Sequence, residues 1–178
     1  MRFTDFLRVS VLLFAGGATA LATAAIGGAT AAGNHVLLAV SVSWWIIAAV
    51  LGLWLGRRPE ASEGIRRMLT AARSTPTLPE VEPGRTVVNR MWPLALFLAV
   101  AGGIAFLLPQ VPAIGAGYAE IMALAWRKQA RAVAAIEDRD GVRFYVERSS
   151  PWKPTQLVRT PWMRRIEPID DRVGATLK

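Results

Sequence analysis

The sequence predicts an all-α polytopic membrane protein: four transmembrane helices arranged as two hairpins, with a small cytoplasmic C-terminal tail that contains a β-hairpin. Three observations predict it. Of the 178 residues, 53% are hydrophobic and only 19% are charged. The apolar residues fall in blocks far longer than the core helix or strand of a water-soluble domain requires. The basic residues, 21 Lys and Arg against 13 Asp and Glu for a net charge of +8, are confined to segments that flank or separate those blocks.

The first two blocks are residues 9–32 and 36–55. At 1.5 Å of rise per residue, roughly 24 and roughly 20 residues each cross about 30 Å of hydrocarbon. Only Gly33, Asn34 and His35 stand between them. Gly33 and Asn34 tolerate left-handed backbone, so the pair reads as a tight helical hairpin. A further apolar region, 92–126, is interrupted at Pro109, Gln110, Val111 and Pro112. The interruption divides it into a third span, 92–108, and a fourth, 112–129, the latter lengthened by snorkelling of Arg127 and Lys128.

Lys and Arg number 2 in residues 1–8, 7 in residues 56–91 and 12 after Trp126, with none in the turns 33–35 and 109–111. Basic loops stay in the cytoplasm, so both termini and the 56–91 loop are expected there. Trp54, Trp92 and Trp126 fall at the same interface, where an indole keeps its ring in acyl chains and its N–H in water. Abundant Ala and Arg with little Lys is a bias of GC-rich bacterial genomes, which points to a bacterial inner membrane. Two readings compete. Arg2 and Arg8 before an apolar stretch with small residues at 18–24 resemble a cleaved signal peptide. One kinked span over 92–126 would place the twelve basic tail residues outside, against the charge rule.

In the 56–91 loop, Ile65, Met68, Leu69 and Ala72 recur at helical spacing with Arg66, Arg67 and Arg73 facing elsewhere, which predicts a short amphipathic helix. Pro76, Pro79 and Pro83 stiffen the return into an extended linker. Helix is expected to persist to about Ala132. Residues 133–137 and 142–147 then flank Asp138, Arg139, Asp140 and Gly141, which predicts a hairpin with Gly141 at positive φ. Val142, Phe144 and Val146 give it one apolar face. Two strands are marginal alone, so that face needs a cover: the membrane surface, the 59–73 helix, a second copy or another protein. Further on, Pro151-Trp152 and Pro161-Trp162 place two aromatic anchors on rigid backbone with basic flanks, suited to a partner protein or to anionic lipid headgroups.

Glu120 is the ionisable residue inside a predicted span, about six residues or roughly 9 Å from Trp126. A carboxylate at that depth is costly and commonly marks an ion or proton path. The spans offer it no basic partner, only neutral ones: Thr19, Thr23 and Thr30, Ser41 and Ser43, and the indoles of Trp44 and Trp45. Those two tryptophans could also line a pocket for a lipid or quinone-like ligand. Gly16, Ala20, Ala24, Gly28 and Ala32 form a small-residue row at four-residue spacing, a surface for close packing within the chain or between copies as a homo-oligomer.

With no cysteine and one histidine, thiolate and histidine metal clusters are excluded. No Walker loop, dinucleotide glycine fingerprint, serine elbow or metal-binding helix motif occurs, and no cofactor is expected. The membrane rule accounts for the basic charge, so nucleic acid is not an expected partner. The functional expectation is a non-enzymatic integral membrane protein whose basic tail docks a partner or the membrane surface in an accessory or assembly role. The alternative is a small oligomeric transporter or ion-coupled protein that uses Glu120.

Overall fold

A computed structural model describes residues 1–74, 83–105, 107–147 and 156–161. The described residues are mostly helical with one small sheet. Its elements are α1 (Phe3–Ala31), α2 (His35–Leu55), α3 (Glu63–Thr70), β1 (Arg73–Ser74), α4 (Pro83–Gly103), α5 (Gln110–Trp126), α6 (Gln129–Asp140), β2 (Val142–Val146) and β3 (Leu157–Pro161).

Among the described residues two helices, α1 and α2, are long and apolar enough to cross a membrane. The expected third and fourth spans fall short of that measure: α4 has its apolar stretch over Met91–Gly103, and α5 has 17 residues. A perpendicular crossing needs about 20, so helix length supports two spans where the sequence predicts four. Helix also runs outside the apolar blocks, from Phe3 at the start of α1 and from Pro83 at the start of α4.

The α1–α2 turn forms for reasons legible in three residues. Gly33 takes φ +62°, and the amides of Gly33 and Asn34 donate back to the carbonyls of Thr30 and Ala29. This closes the C-terminus of α1 in a Schellman arrangement. Asn34 Oδ1 then accepts from Leu37 N at 2.9 Å and caps α2. Both helices expose broad apolar surface, with Leu12, Val36, Val40, Ile46, Val50 and Trp54 all open.

Contacts between named residues set the helix directions. Phe14 on α1 meets Trp126 on α5, and Leu21 meets Gly115, so α1 and α5 run antiparallel. Trp45 meets Ala113 and Gly52 meets Leu124, so α2 and α5 run parallel. Gly17 meets Leu98 and Gly28 meets Ala105, so α4 runs parallel to α1, and the starts of α1 and α4 and the ends of α2 and α5 share one end of the bundle.

A second core sits at that end. Phe3, Phe6 and Leu7 from α1 join Ala61, Ile65 and Leu69 around α3, Ala130, Ala132 and Val133 from α6, and Val142, Phe144, Val146 and Leu157 from the sheet. Each large side chain buried there contributes about 1.5–3 kcal/mol relative to exposure. The sheet order is β1-β3-β2, with β1 parallel and β2 antiparallel to β3. The chain start extends it: Arg2 bridges Tyr145, and Val146 N donates to Met1 O at 3.1 Å.

The expected hairpin is corrected here. Residues 133–137 are helix, because alanines at 130, 132, 134 and 135 favour helix over strand. Gly141 does take positive φ, at 64°, but as the left-handed cap of α6, and β2 pairs with β3. Val142, Phe144 and Val146 do share the buried face, and α1, α3 and α6 cover it.

Candidate functional site

The site is built where α5 lies against both α1 and α2, which touch each other much less. Glycines permit the approach. A Cβ on Gly56 would strike the Leu124 carbonyl and one on Gly117 the Trp44 indole, while one on Gly28 would strike the Ala105 carbonyl in the turn between α4 and α5. Ala48, Gly52 and Gly56 thus form a small-residue row on α2 that faces α5, with Ala48 and Gly52 buried.

Between α1, α2 and α5 this packing leaves a groove of about 520 Å³. Its polar lining is Thr19 and Thr23 from α1, Trp45 from α2 and Glu120 from α5, on walls otherwise made of alanine, Ile26 and Leu124. Three of the neutral partners expected for Glu120 are therefore beside it. Thr30 donates to Ile26 O at 2.8 Å, Ser41 to Leu37 O at 2.8 Å and Ser43 to Ala39 O at 2.9 Å, and none of these lines the groove.

Every donor around Glu120 is already committed. Thr19 Oγ1 donates to Ala15 O at 3.0 Å, and Thr23 Oγ1 to Thr19 O at 2.9 Å. Trp45 Nε1 donates to Ala113 O at 2.9 Å. With those donors committed, the polar lining has acceptor chemistry left to offer: hydroxyl lone pairs, the π-system of an indole and a carboxylate. Glu120 is half-buried and, among the described residues, has no hydrogen-bond or ion-pair partner. No basic side chain lines the groove.

The other sequence candidates separate. Trp44 does not line the groove; its ring lies edge-on to Tyr118 with centroids 5.6 Å apart, and Nε1 donates to Ile114 O at 3.4 Å, fastening α2 to α5. Of the row Gly16, Ala20, Ala24, Gly28 and Ala32, only Gly28 is buried, and the buried face of α1 is the adjacent one, with Gly17, Leu21, Ala25 and Gly28. In a helix where nearly every residue is small, spacing alone does not choose between faces. Trp152 and Trp162 lie outside the described residues. His35, the one histidine, is exposed at the start of α2, and no group of three potential metal ligands occurs among the described residues.

Two features were missed in the sequence. The Ala48-Gly52-Gly56 row was visible as spacing, hidden by the bulky residues around it. Glu137 was not: it is buried on α6, accepts from Phe144 N at 2.9 Å through Oε1 and from Arg2 Nη2 at 3.4 Å through Oε2. It ties the chain start to the α6–β2 corner, a pairing across 135 residues that no local pattern announces. On the exposed side of the end domain, hydrogen bonds from Arg66 and Arg67 hold the Glu63 carboxyl below its usual range.

No protein-family model matches the chain, and no curated protein or solved structure is significantly similar to it. The groove must be read from its own chemistry.

Proposed function

We propose that this is a non-enzymatic, multi-pass membrane protein that takes up positive charge, a proton or a protonated organic base, in the groove at Glu120, as a small ion-coupled carrier does. The observation that carries the reading is the unpartnered carboxylate on an alanine-lined groove whose hydroxyl and indole donors are all spent. A cation satisfies such a lining, whereas an anion meets only acceptors. Trp45 adds a π-face for an organic cation.

In this reading α1, α2, α4 and α5 all cross the membrane, the last two by tilting or by local thinning of the bilayer. The end domain supports the orientation. Its core draws on the chain start, the 56–74 segment and the α6–β3 region together, and these regions carry 13 of the 21 basic residues. One side of a membrane then holds these regions, the cytoplasmic side of a bacterial inner membrane by the charge rule. The reading is tested by reconstituting full-length protein and its Glu120→Gln variant in vesicles and following proton or organic-cation flux. Flux confined to the wild type supports it; equal flux in both contradicts it.

A second reading, an accessory role through the tail, draws on the end domain's surface. Arg131 and Arg159 are exposed there and can meet an anionic partner or headgroups, whereas Arg139 is ion-paired with Asp140. It predicts that Trp152→Ala with Trp162→Ala abolishes recovery of a co-purifying partner while the protein still inserts. Unchanged recovery contradicts the anchor role.

A further inference from the structure

A second cavity, of about 560 Å³, lies at the corner between the end of α2 and the start of α3. Trp54 and Leu55 belong to its apolar lining, and Arg57, Arg58, Glu60, Glu63, Arg66 and Gln129 to its polar lining. We propose that this cavity binds the phosphate headgroup of an anionic phospholipid whose acyl chains lie along the exposed face of α2.

Charge is the first argument. Arg66 is committed to Glu63, with Nη2 to Oε2 at 2.6 Å, so that pair is neutral. Arg57 and Arg58 have no acidic partner among the described residues. Lys128 brings a third positive charge to the edge, because its Nζ donates to the Arg57 carbonyl at 3.1 Å. Against these stands one remaining carboxylate in the lining, Glu60. Two free guanidiniums at one mouth are donor forks suited to phosphate oxygens.

Preorganisation is the second. Gln129 Oε1 accepts from Ser62 N at 2.9 Å and latches the start of α3 to α6. Ile65 and Leu69 bury the other face of α3 in the end-domain core. The cavity walls are thus fixed from both sides.

Position chooses a lipid over a free phosphate. The cavity lies where the apolar surface of α2, with Val50, Leu51 and Trp54 exposed, gives way to arginine. A phospholipid has the same order along its length, acyl chain then phosphate, and basic pockets at the ends of spans suit such headgroups. The inference rests on α2 being membrane-spanning and is independent of Glu120, so the two proposals fail separately.

The test uses full-length protein in discs of phosphatidylcholine containing a minor fraction of phosphatidylglycerol, with retained lipid identified by native mass spectrometry. Wild type is expected to retain phosphatidylglycerol preferentially. Each arginine removed is expected to weaken retention about fivefold, so Arg57→Gln with Arg58→Gln weakens it on the order of 20-fold. Arg139→Gln, outside the cavity, leaves it unchanged, and Arg57→Lys with Arg58→Lys keeps most of it. Should the double glutamine variant fail to fold, Arg58→Gln alone is read for the fivefold loss. Equal retention of the two lipids by wild type, or full retention by a folded glutamine variant, overturns the proposal. Displacement of the lipid by inorganic phosphate overturns the lipid assignment.

Discussion

Where α5 meets α2 and α1 meets the turn between α4 and α5, the close contacts are made by Gly28, Gly52, Gly56 and Gly117, which let backbone approach backbone or an indole slide over a bare Cα. In the end domain they are made by Phe3, Phe6, Leu7, Ile65, Val133, Phe144 and Val146, large side chains packed into one cluster. The difference follows from the solvent each region faces in the membrane reading. Lipid gives no hydrophobic reward for bringing apolar helices together, so close van der Waals approach between small residues must hold them. Water does reward burial, and a domain built from the chain start, α3, α6 and a three-stranded sheet collects bulk for it.

Four substitutions and one titration bear on that contrast. The largest effect is expected from Phe3→Ala, which removes a ring 2% exposed from the end-domain core. It should cost about 3–5 kcal/mol there. Hydrogen exchange should speed up in α6 and β2 while α5 stays protected; uniform loosening of both regions would erase the distinction. Next comes Gly117→Ala, whose new methyl falls on the Trp44 indole. Overpacking of this kind costs about 1–3 kcal/mol. Gly16→Ala is its control, since nothing lies within 4 Å of a Cβ there. Alanine is the better helix former by about 1 kcal/mol, so this change should be neutral or stabilising. Thermal unfolding in detergent ranks the two, and a reversed order would contradict the placement of α5 against α2.

The smallest effect is a pH dependence. Glu63 is held below its ordinary value of 4.5 by hydrogen bonds from Arg66 and Arg67. A carboxyl depressed in the folded state stabilises above its unfolded value and loses that contribution as pH falls through the folded one. The helix Glu63–Thr70 should therefore loosen slightly in acid below that value. The group is fully exposed, so solvent screens the effect. Glu63→Gln should exchange its α3 amides at a rate indifferent to this acid range; identical acid loosening in both proteins would assign the effect elsewhere.

The same contrast governs what could be read in advance. Helix 35–55, the Gly33 turn and the alternation of Val142, Phe144 and Val146 depend on neighbours in sequence, and they were legible. The amphipathic spacing of Ile65 and Leu69 predicted a helix and made it one of four candidate covers for the Val142, Phe144 and Val146 face; that α1 and α6 would join it was not legible. The misread strand at 133–137 shows competition between signals: a turn motif at 138–141 served equally well as a helix cap once alanines extended α6. Beside Glu120, Thr19, Thr23 and Trp45 were among seven neutral partners the sequence offered. Choosing those three required knowing which way α1 turns, and a helix made almost wholly of small residues carries little rotational information.

A groove that accepts positive charge should discriminate between ions by sign alone. The decisive measurement is equilibrium dialysis of detergent-solubilised full-length protein against two lipophilic ions of nearly the same size and shape, tetraphenylphosphonium and tetraphenylborate. Saturable binding of the cation alone, abolished in a folded Glu120→Gln variant, is the predicted result. Equal binding of both ions, or cation binding that survives in the variant, would contradict it.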